Sequence, residues 1–380
     1  EPNEACNPGH AGTCHSSTPA DSTLAGARRA AWAAGPLSPV GTPMAGTSAG
    51  RPASLEDRFR ASHDRPSTPA RGLTGEVHAR TIWGYWAQGY EAMPEFFKLC
   101  VRTWQRLNPH WDVRILQQST VHEYLSECEL PNRFGELLSH QTASDCVRLA
   151  LLARYGGVYM DVSIALRTGL DELCWADIAA GRRPAAVFFH PHYGTPALGG
   201  EDLTESWFLA APPGQPFFLR WRDLLRELLH NRVAVEGLLA HPLYRGVDLS
   251  GIDRLNREFA GLTFDFREYL AIHAMCHRLI ETEAWARAQW RDEFLRIDAA
   301  ETAFRLQLRA QAGGLHAAQV LVSGDPQADA LLDGVPLVKF TTPHSGPLLP
   351  LSRAQLLDSG HALGRLLSPA RRGATSAPRA

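Results

Sequence analysis

The sequence predicts an α/β fold with a mostly parallel central sheet and added helices. Strand-like and helix-like patterns alternate from residue 77 onward, hydrophobic residues make up 44% of the chain and suffice for a sizeable core, and no internal repeat points to a solenoid. Val77 to Trp86 reads as an opening strand, rich in aromatic and β-branched residues. Met93 to Leu107 has helical apolar spacing and stops at Asn108-Pro109, and Trp111 to Leu116 alternates as a strand does. This βαβ opening favours parallel pairing. A helix follows over Thr142 to Tyr155, then strands over Val158 to Leu166, Ala186 to Phe189 and Ser206 to Ala211. Helices are predicted again over Pro216 to Leu229 and Phe266 to Ala310.

Residues 1–75 are rich in Ala, Ser, Thr, Gly and Pro without hydrophobic periodicity, so a disordered N-terminal segment is expected. The domain is expected over 76–350, with a C-terminal helix and disordered tail over 351–380. The formal net charge of -2 gives no basic field, which argues against a nucleic-acid partner. Nearly all basic residues are arginine, Lys98 and Lys339 being the lysines. The seven cysteines show neither CxxC pairs nor zinc spacing. No apolar run approaches the roughly 18 residues of a membrane span, so membrane association is not visible. The sequence starts at Glu1, which leaves open whether a signal or anchor precedes it.

The informative stretch is Ser144 to Ser163. Between Cys146 and Tyr155 the charged residues are Arg148 and Arg154, and apolar residues fall on every side of the helical wheel, as in a helix packed on several faces. Asp145 and Arg148, three apart, share a face near its N-terminal end. A buried charge needs a partner, so the two must satisfy each other or a ligand. Gly156-Gly157 supplies the left-handed turn out of the helix. Along the following strand Val158, Met160, Val162, Ile164 and Leu166 line one face, and Tyr159, Asp161 and Ser163 the other. Taken singly, each polar residue reads as an ordinary ion pair or strand end; together they read as a polar site on a rigid element.

This run resembles the SDxxRxxxLxxxGGxYxDxD signature of glycosyltransferases with a DXD sugar-binding region, and is most similar to the capsular polysaccharide synthesis family. Ile82 to Gly89 resembles that family's opening strand, Glu205-Ser206-Trp207-Phe208 its acidic-aromatic strand, and Pro336 to Phe340 its late strand. The resemblance implies a GT-A-like nucleotide-sugar-binding sandwich with the donor at the C-terminal edge of its strands. It implies donor binding by Trp83, Trp86, Gln88, Asp145, Arg148, Tyr159, Asp161 and Ser163, with Trp83 or Trp86 stacking on the base unless they are core aromatics. Asp161 and Glu205 are the catalytic candidates, Glu205 beside the acceptor.

The signature departs at its end, where Ser163 stands in place of the second carboxylate. Hard Mg²⁺ or Mn²⁺ prefers anionic oxygen, so a divalent metal, held by Asp161, Ser163 and His344, is in question. Arg148 is a substitute cation. The implied function is hexose transfer from a UDP- or GDP-sugar to a glycan or polysaccharide acceptor, with retention expected by analogy. The alternative is a nucleotide-sugar or glycan-binding protein without turnover. GxSxG, GxGxxG and P-loop motifs are missing, which removes the parts of a serine hydrolase, a dinucleotide enzyme or an ATPase. Tyr269, His273 and His277 recur four apart, and without HExxH order a packed amphipathic helix is expected there.

Overall fold

The computed structural model describes residues 76–195, 201–258 and 264–368. The expected disordered segment at 1–75 and the tail from 369 lie outside the described residues. Six strands form one sheet in the order β2-β1-β3-β6-β5-β7: β1 (Thr81–Tyr85), β2 (Asp112–Leu116), β3 (Gly157–Met160), β5 (Ala186–Thr195), β6 (Glu201–Ala211) and β7 (Leu295–Asp298). The β2-β1, β1-β3 and β5-β7 pairs are parallel, and β6 alone runs against its neighbours. The α/β expectation with a mostly parallel sheet holds.

Side-chain alternation puts one core on each face of this sheet. Ile82, Val158, Met160, Phe208 and Ala210 point into a core that includes Phe96, Leu99 and Trp104 of helix α1 (Glu95–Leu107). Trp83, Tyr85, Tyr159, Leu209 and Ala211 point into the other, built with helices α2 (His140–Tyr155), α3 (Pro216–Leu228) and α4 (Ala271–Thr282). Ser139 caps α2, its side chain accepting from the Thr142 backbone N–H. The chain after residue 350 adds to the first core through Leu356, Leu363, Leu366 and Leu367. Arg106 of α1 donates to the Leu367 and Ser368 carbonyls there.

Two expectations need correction. The strand drawn from Val158 to Leu166 is two strands. β3 ends at Met160, Asp161 to Ser163 form a turn, and β4 (Ile164–Leu166) pairs antiparallel with β8 (Leu337–Lys339) in a separate two-stranded sheet. An unbroken apolar and polar alternation hides this break, because Val162 stays buried while the backbone turns. The helical tract from Phe266 to Ala310 is interrupted by β7, whose four residues gain their pairing from β5 and carry too short a pattern to stand out.

Candidate active site

Four chain segments meet around one guanidinium at the C-terminal end of β3. From α2, Asp145 and Arg148 form an ion pair at 3.2 Å, both nearly fully buried. From the turn after β3, Asp161 Oδ1 lies 3.2 Å from the same guanidinium nitrogen. From β6, the Ser206 hydroxyl accepts from Arg148 at 2.6 Å. From β8, Lys339 Nζ donates to Asp161 Oδ2 and to Ser163 Oγ, each at 2.7 Å. Ser144, one turn before Arg148, accepts from it at 3.1 Å and shares a 2.7 Å hydrogen bond with the Tyr159 hydroxyl. The Arg148 guanidinium also lies 4.9 Å from the centre of the Tyr159 ring, within cation–π range. Asp145, Arg148, Tyr159, Asp161 and Ser163 thus come together in space.

Backbone geometry makes this convergence possible. Gly156 and Gly157 have φ of 65° and 90°, and a Cβ on Gly157 would sit 2.4 Å from the Thr81 carbonyl oxygen. The chain can leave α2 and enter β3 tight against β1 only with glycine there. The Asp161 N–H still pairs with the Trp207 carbonyl at 2.9 Å, and Phe340 N–H donates to the Ser163 carbonyl at 3.0 Å. The turn is therefore fixed from both sheets, and the Asp161 side chain, 26% exposed, is the most open of the paired charges.

Burial and charge divide the acids of the cluster. Burial pushes Asp145 up to about 7; Arg148 opposes this and the charge on Asp161 adds to it. Burial would also raise Asp161, but Lys339 and Arg148 more than offset it and hold the carboxyl below its ordinary value. Burial pushes Glu205, on β6 next to Ser206, up to about 7 against the pull of Trp207 and Lys339. One carboxylate is held ionised beside two that take a proton near neutrality, so two cations face about two negative charges near pH 7 and closer to one at lower pH.

The other predicted residues are placed differently. Trp83 is fully buried, its indole N–H donating to the Gly156 carbonyl at 2.9 Å and its rings packed on Tyr124 and Tyr155. Its faces belong to the core and are closed to a base. Trp86 and Gln88 follow β1 at the strand edge that β3 shares; Trp86 is half-buried against Phe97 and Gln88 is exposed. His344 does not join the Asp161 cluster in any described contact: its Nε2 lies 2.9 Å from the Gln311 amide and its ring packs on His316. Burial brings His344 down to about 4.

Sequence reasoning missed Lys339, Ser144 and Ser206 as site residues, and for α4 preferred packing over a metal or acceptor site. Most of α4 is indeed buried. Yet Asp145, Asp161 and Arg148 all act on the Tyr269 phenol, while burial, Arg148 and His277 bring His273 down to about 3. The start of α4 therefore borders the cluster. A signal for Lys339 was available: it is one of two lysines in an arginine-rich chain, in the stretch that resembles the family's late strand.

Comparison with known proteins finds a family of polysaccharide synthesis and named glycosyltransferases. Residues 58–236 match the capsular polysaccharide synthesis protein family. The match takes in Asp145, Arg148, Asp161, Ser163 and Glu205 and stops before Lys339. Among curated proteins, the chain is 27% identical over 208 residues to the O-glycosyltransferase braB of Annulohypoxylon truncatum, covering 50% of this chain and 49% of that one. It is 28% identical over 204 residues to the glycosyltransferase afumC of Aspergillus fumigatus, covering 50% and 51%. The O-glycosyltransferase PaGT of Phomopsis amygdali matches at 26% over 177 residues, covering 43% and 42%. The chain thus spans about half the length of the curated relatives it matches. A solved structure titled PaToxG Glycosyltransferase overlays at a TM-score of 0.30 and 15% identity, covering 57% of this chain and 85% of that one, too low a score to carry an argument. No described helix is long and apolar enough to cross a membrane.

Proposed function

We propose that this chain is a glycosyltransferase that moves a hexose from a UDP- or GDP-sugar to a hydroxyl of a glycan or polysaccharide, with retention of anomeric configuration. The observation that carries the reading is the meeting of Asp145, Arg148, Asp161, Ser163 and Lys339 at the C-terminal end of a parallel strand, where open α/β sheets bind their ligands. The family match and the printed names of the fungal relatives support it, and those names favour transfer to oxygen.

In this reading the donor lies over Asp161. A carboxylate offers about four acceptor positions, and Arg148 and Lys339 use one on each oxygen, leaving others for sugar or ribose hydroxyls. As the anomeric C–O bond breaks, its electron pair passes to the diphosphate, whose growing charge the site must offset with a cation. The acceptor oxygen bonds to the anomeric carbon on the face from which the diphosphate departs, as retention requires, and its proton passes to Glu205. A carboxyl that titrates near 7 is well matched to that task. Holding both substrates at one place supplies the remaining rate advantage.

A panel of UDP- and GDP-sugars tests the proposal by thermal shift followed by product analysis. One donor is expected to raise the melting temperature and, with a glycan acceptor, to be consumed; Asp161→Asn is expected to abolish both effects. Donor binding with neither hydrolysis nor transfer would favour the non-catalytic binding protein. No response to any nucleotide sugar would reject the donor site altogether.

A further inference from the structure

The donor-site reading leaves open what cation neutralises the diphosphate, and the residues present do not fit a divalent metal. Mg²⁺ and Mn²⁺ need several free oxygen ligands, preferably anionic. Asp161 offers Oδ1 to Arg148 and Oδ2 to Lys339, and the Ser163 hydroxyl accepts from the same ammonium. His344 is turned to Gln311 and His316. No group of three or more His, Cys, Asp or Glu side chains suited to a metal occurs among the described residues. A divalent ion at Asp161 would also lie within a few ångströms of two fixed positive charges.

We infer that the Lys339 ammonium takes the place of the metal, as a tethered cation that binds the donor diphosphate and offsets the charge of its departure. The placement is specific. Lys339 stands opposite Ile164 in the β4-β8 pair, and its backbone N–H is held by the Ala303 carbonyl at 3.1 Å. Asp161 and Ser163 use two of its three N–H donors, so the third is available to a phosphate oxygen. Lys339 is 8% exposed and enclosed by groups that orient it, so little ordering entropy remains to be lost when the anion arrives. Ser163 then has a positive reason to replace a carboxylate: a second acid would bind the ammonium more tightly and compete with the diphosphate. The chain's other lysine, Lys98, donates to the Glu91 backbone carbonyl elsewhere on the fold.

The inference rests on the donor-site reading, and titration calorimetry of the full chain with UDP and with GDP separates the two. Each nucleotide is titrated in EDTA and again in excess Mn²⁺. Binding of one nucleotide with the same affinity in both supports a metal-free site. Lys339→Met is expected to weaken that binding at least tenfold with no rescue by Mn²⁺, and Lys339→Arg to retain part of it. The double variant Lys339→Met, Ser163→Asp, which removes the ammonium and restores a second acid, is expected to bind only with Mn²⁺. Wild-type binding that disappears in EDTA and returns with Mn²⁺ overturns the inference while leaving the donor site standing. Unchanged binding by a folded Lys339→Met, checked by its melting curve, also overturns it. Binding of neither nucleotide under either condition rejects the donor site and the inference together.

Discussion

Lys339 and Asp161, 178 positions apart in sequence, are joined by a 2.7 Å ion pair that ties the small β4-β8 sheet to the end of the large one. The pair does more than fasten two sheets. Asp161 also faces Arg148, so one carboxylate sets the distance between two cations drawn from α2 and β8. Both cations then lie beside the turn where the polar edge of β3 opens. Removing the carboxylate would leave them to repel each other in a poorly solvated site.

Arg148 is the residue whose loss should cost the fold most. Its guanidinium serves Asp145, Asp161, Ser144 and Ser206 at once and is 4% exposed. Arg148→Met leaves Asp145 buried without its partner, either charged or forced to take up a proton, and breaking a buried pair from one side costs roughly 3 to 5 kcal/mol. Urea unfolding should show a loss in that range. Arg148→Lys should recover only part of it, because an ammonium cannot reproduce the planar fork. A loss below about 1 kcal/mol for the methionine variant would mean that the network is not closed as described.

Glu205 should matter to turnover and little to donor binding. Glu205→Gln keeps the shape and removes the proton acceptor, so kcat should fall by roughly 10²- to 10⁴-fold while UDP or GDP affinity stays within a few-fold. In the wild type, kcat should rise with pH through about 7 as Glu205 ionises, and that limb should vanish in the variant. An unchanged pH profile would remove Glu205 from the proton transfer.

How much of this was readable beforehand depends on the reach of each signal. Asp145, Arg148 and Asp161 were legible because a helix face, two glycines and a strand fall within 20 consecutive residues, where spacing dictates direction. Ser144 lies inside the same stretch, yet its hydroxyl bond to Tyr159 depends on how closely α2 approaches β3. Lys339 was marked by its rarity and by the late strand it sits in, but nothing local ties it to Asp161: only the pairing of β8 with β4 brings the two together. Trp83 and Trp86 illustrate the opposite limit. Trp83 sits inside β1 and Trp86 just past its end, and only packing shows that the first is closed between Tyr124 and Tyr155 while the second stays partly open. The break at Asp161 escaped for a related reason: hydrophobic alternation reports which side chains are buried, not whether the backbone continues in one sheet.

Gly157 should tolerate no side chain. At φ 90° an alanine is strained, and its Cβ would meet the Thr81 carbonyl oxygen at 2.4 Å, a backbone atom that cannot swing away. Gly157→Ala should therefore cost roughly 2 to 4 kcal/mol by forcing β1 and β3 apart or rebuilding the turn. Because β3 delivers Asp161, donor affinity should fall with stability. Denaturation and nucleotide titration on the same preparation check both effects, and retention of either would show that the approach of the two strands is looser than the glycine geometry indicates.

Donor affinity should weaken as pH rises through 7. Asp145 and Glu205 both titrate near that value, and their ionisation adds negative charge to a site meant for a diphosphate. Calorimetry from pH 6 to pH 8.5 should show this decline, and Asp145→Asn should flatten it in part while leaving the Glu205 component. For stability the sign follows from the same shift. The folded Asp145 carboxyl lies above its unfolded value of 3.8, so the folded state holds the extra proton between about 4 and 7, and its contribution to stability falls as pH rises across that window.

The histidines of α4 should act in the opposite direction and offset the stability that Asp145 gains on acidification. Burial brings His273 down to about 3, with Arg148 and His277 adding to the effect, and brings His277 down to about 4 against the upward pull of Asp248. Unfolded, both would take a proton near 6.5. Below that pH the unfolded chain binds protons that the folded one refuses, so the imidazole contribution to stability should fall from about pH 6.5 down to the folded values, against the opposite slope of Asp145 and Glu205. The slope approaches roughly 1.4 kcal/mol per pH unit for each imidazole. His277→Leu should remove one such slope, so its stability relative to the wild type should improve by roughly 1.4 kcal/mol per pH unit on acidification below about 6.5, in urea unfolding followed from pH 7 to pH 4.5. If the variant's stability follows pH as the wild type's does across that range, α4 is not held together by two neutral imidazoles.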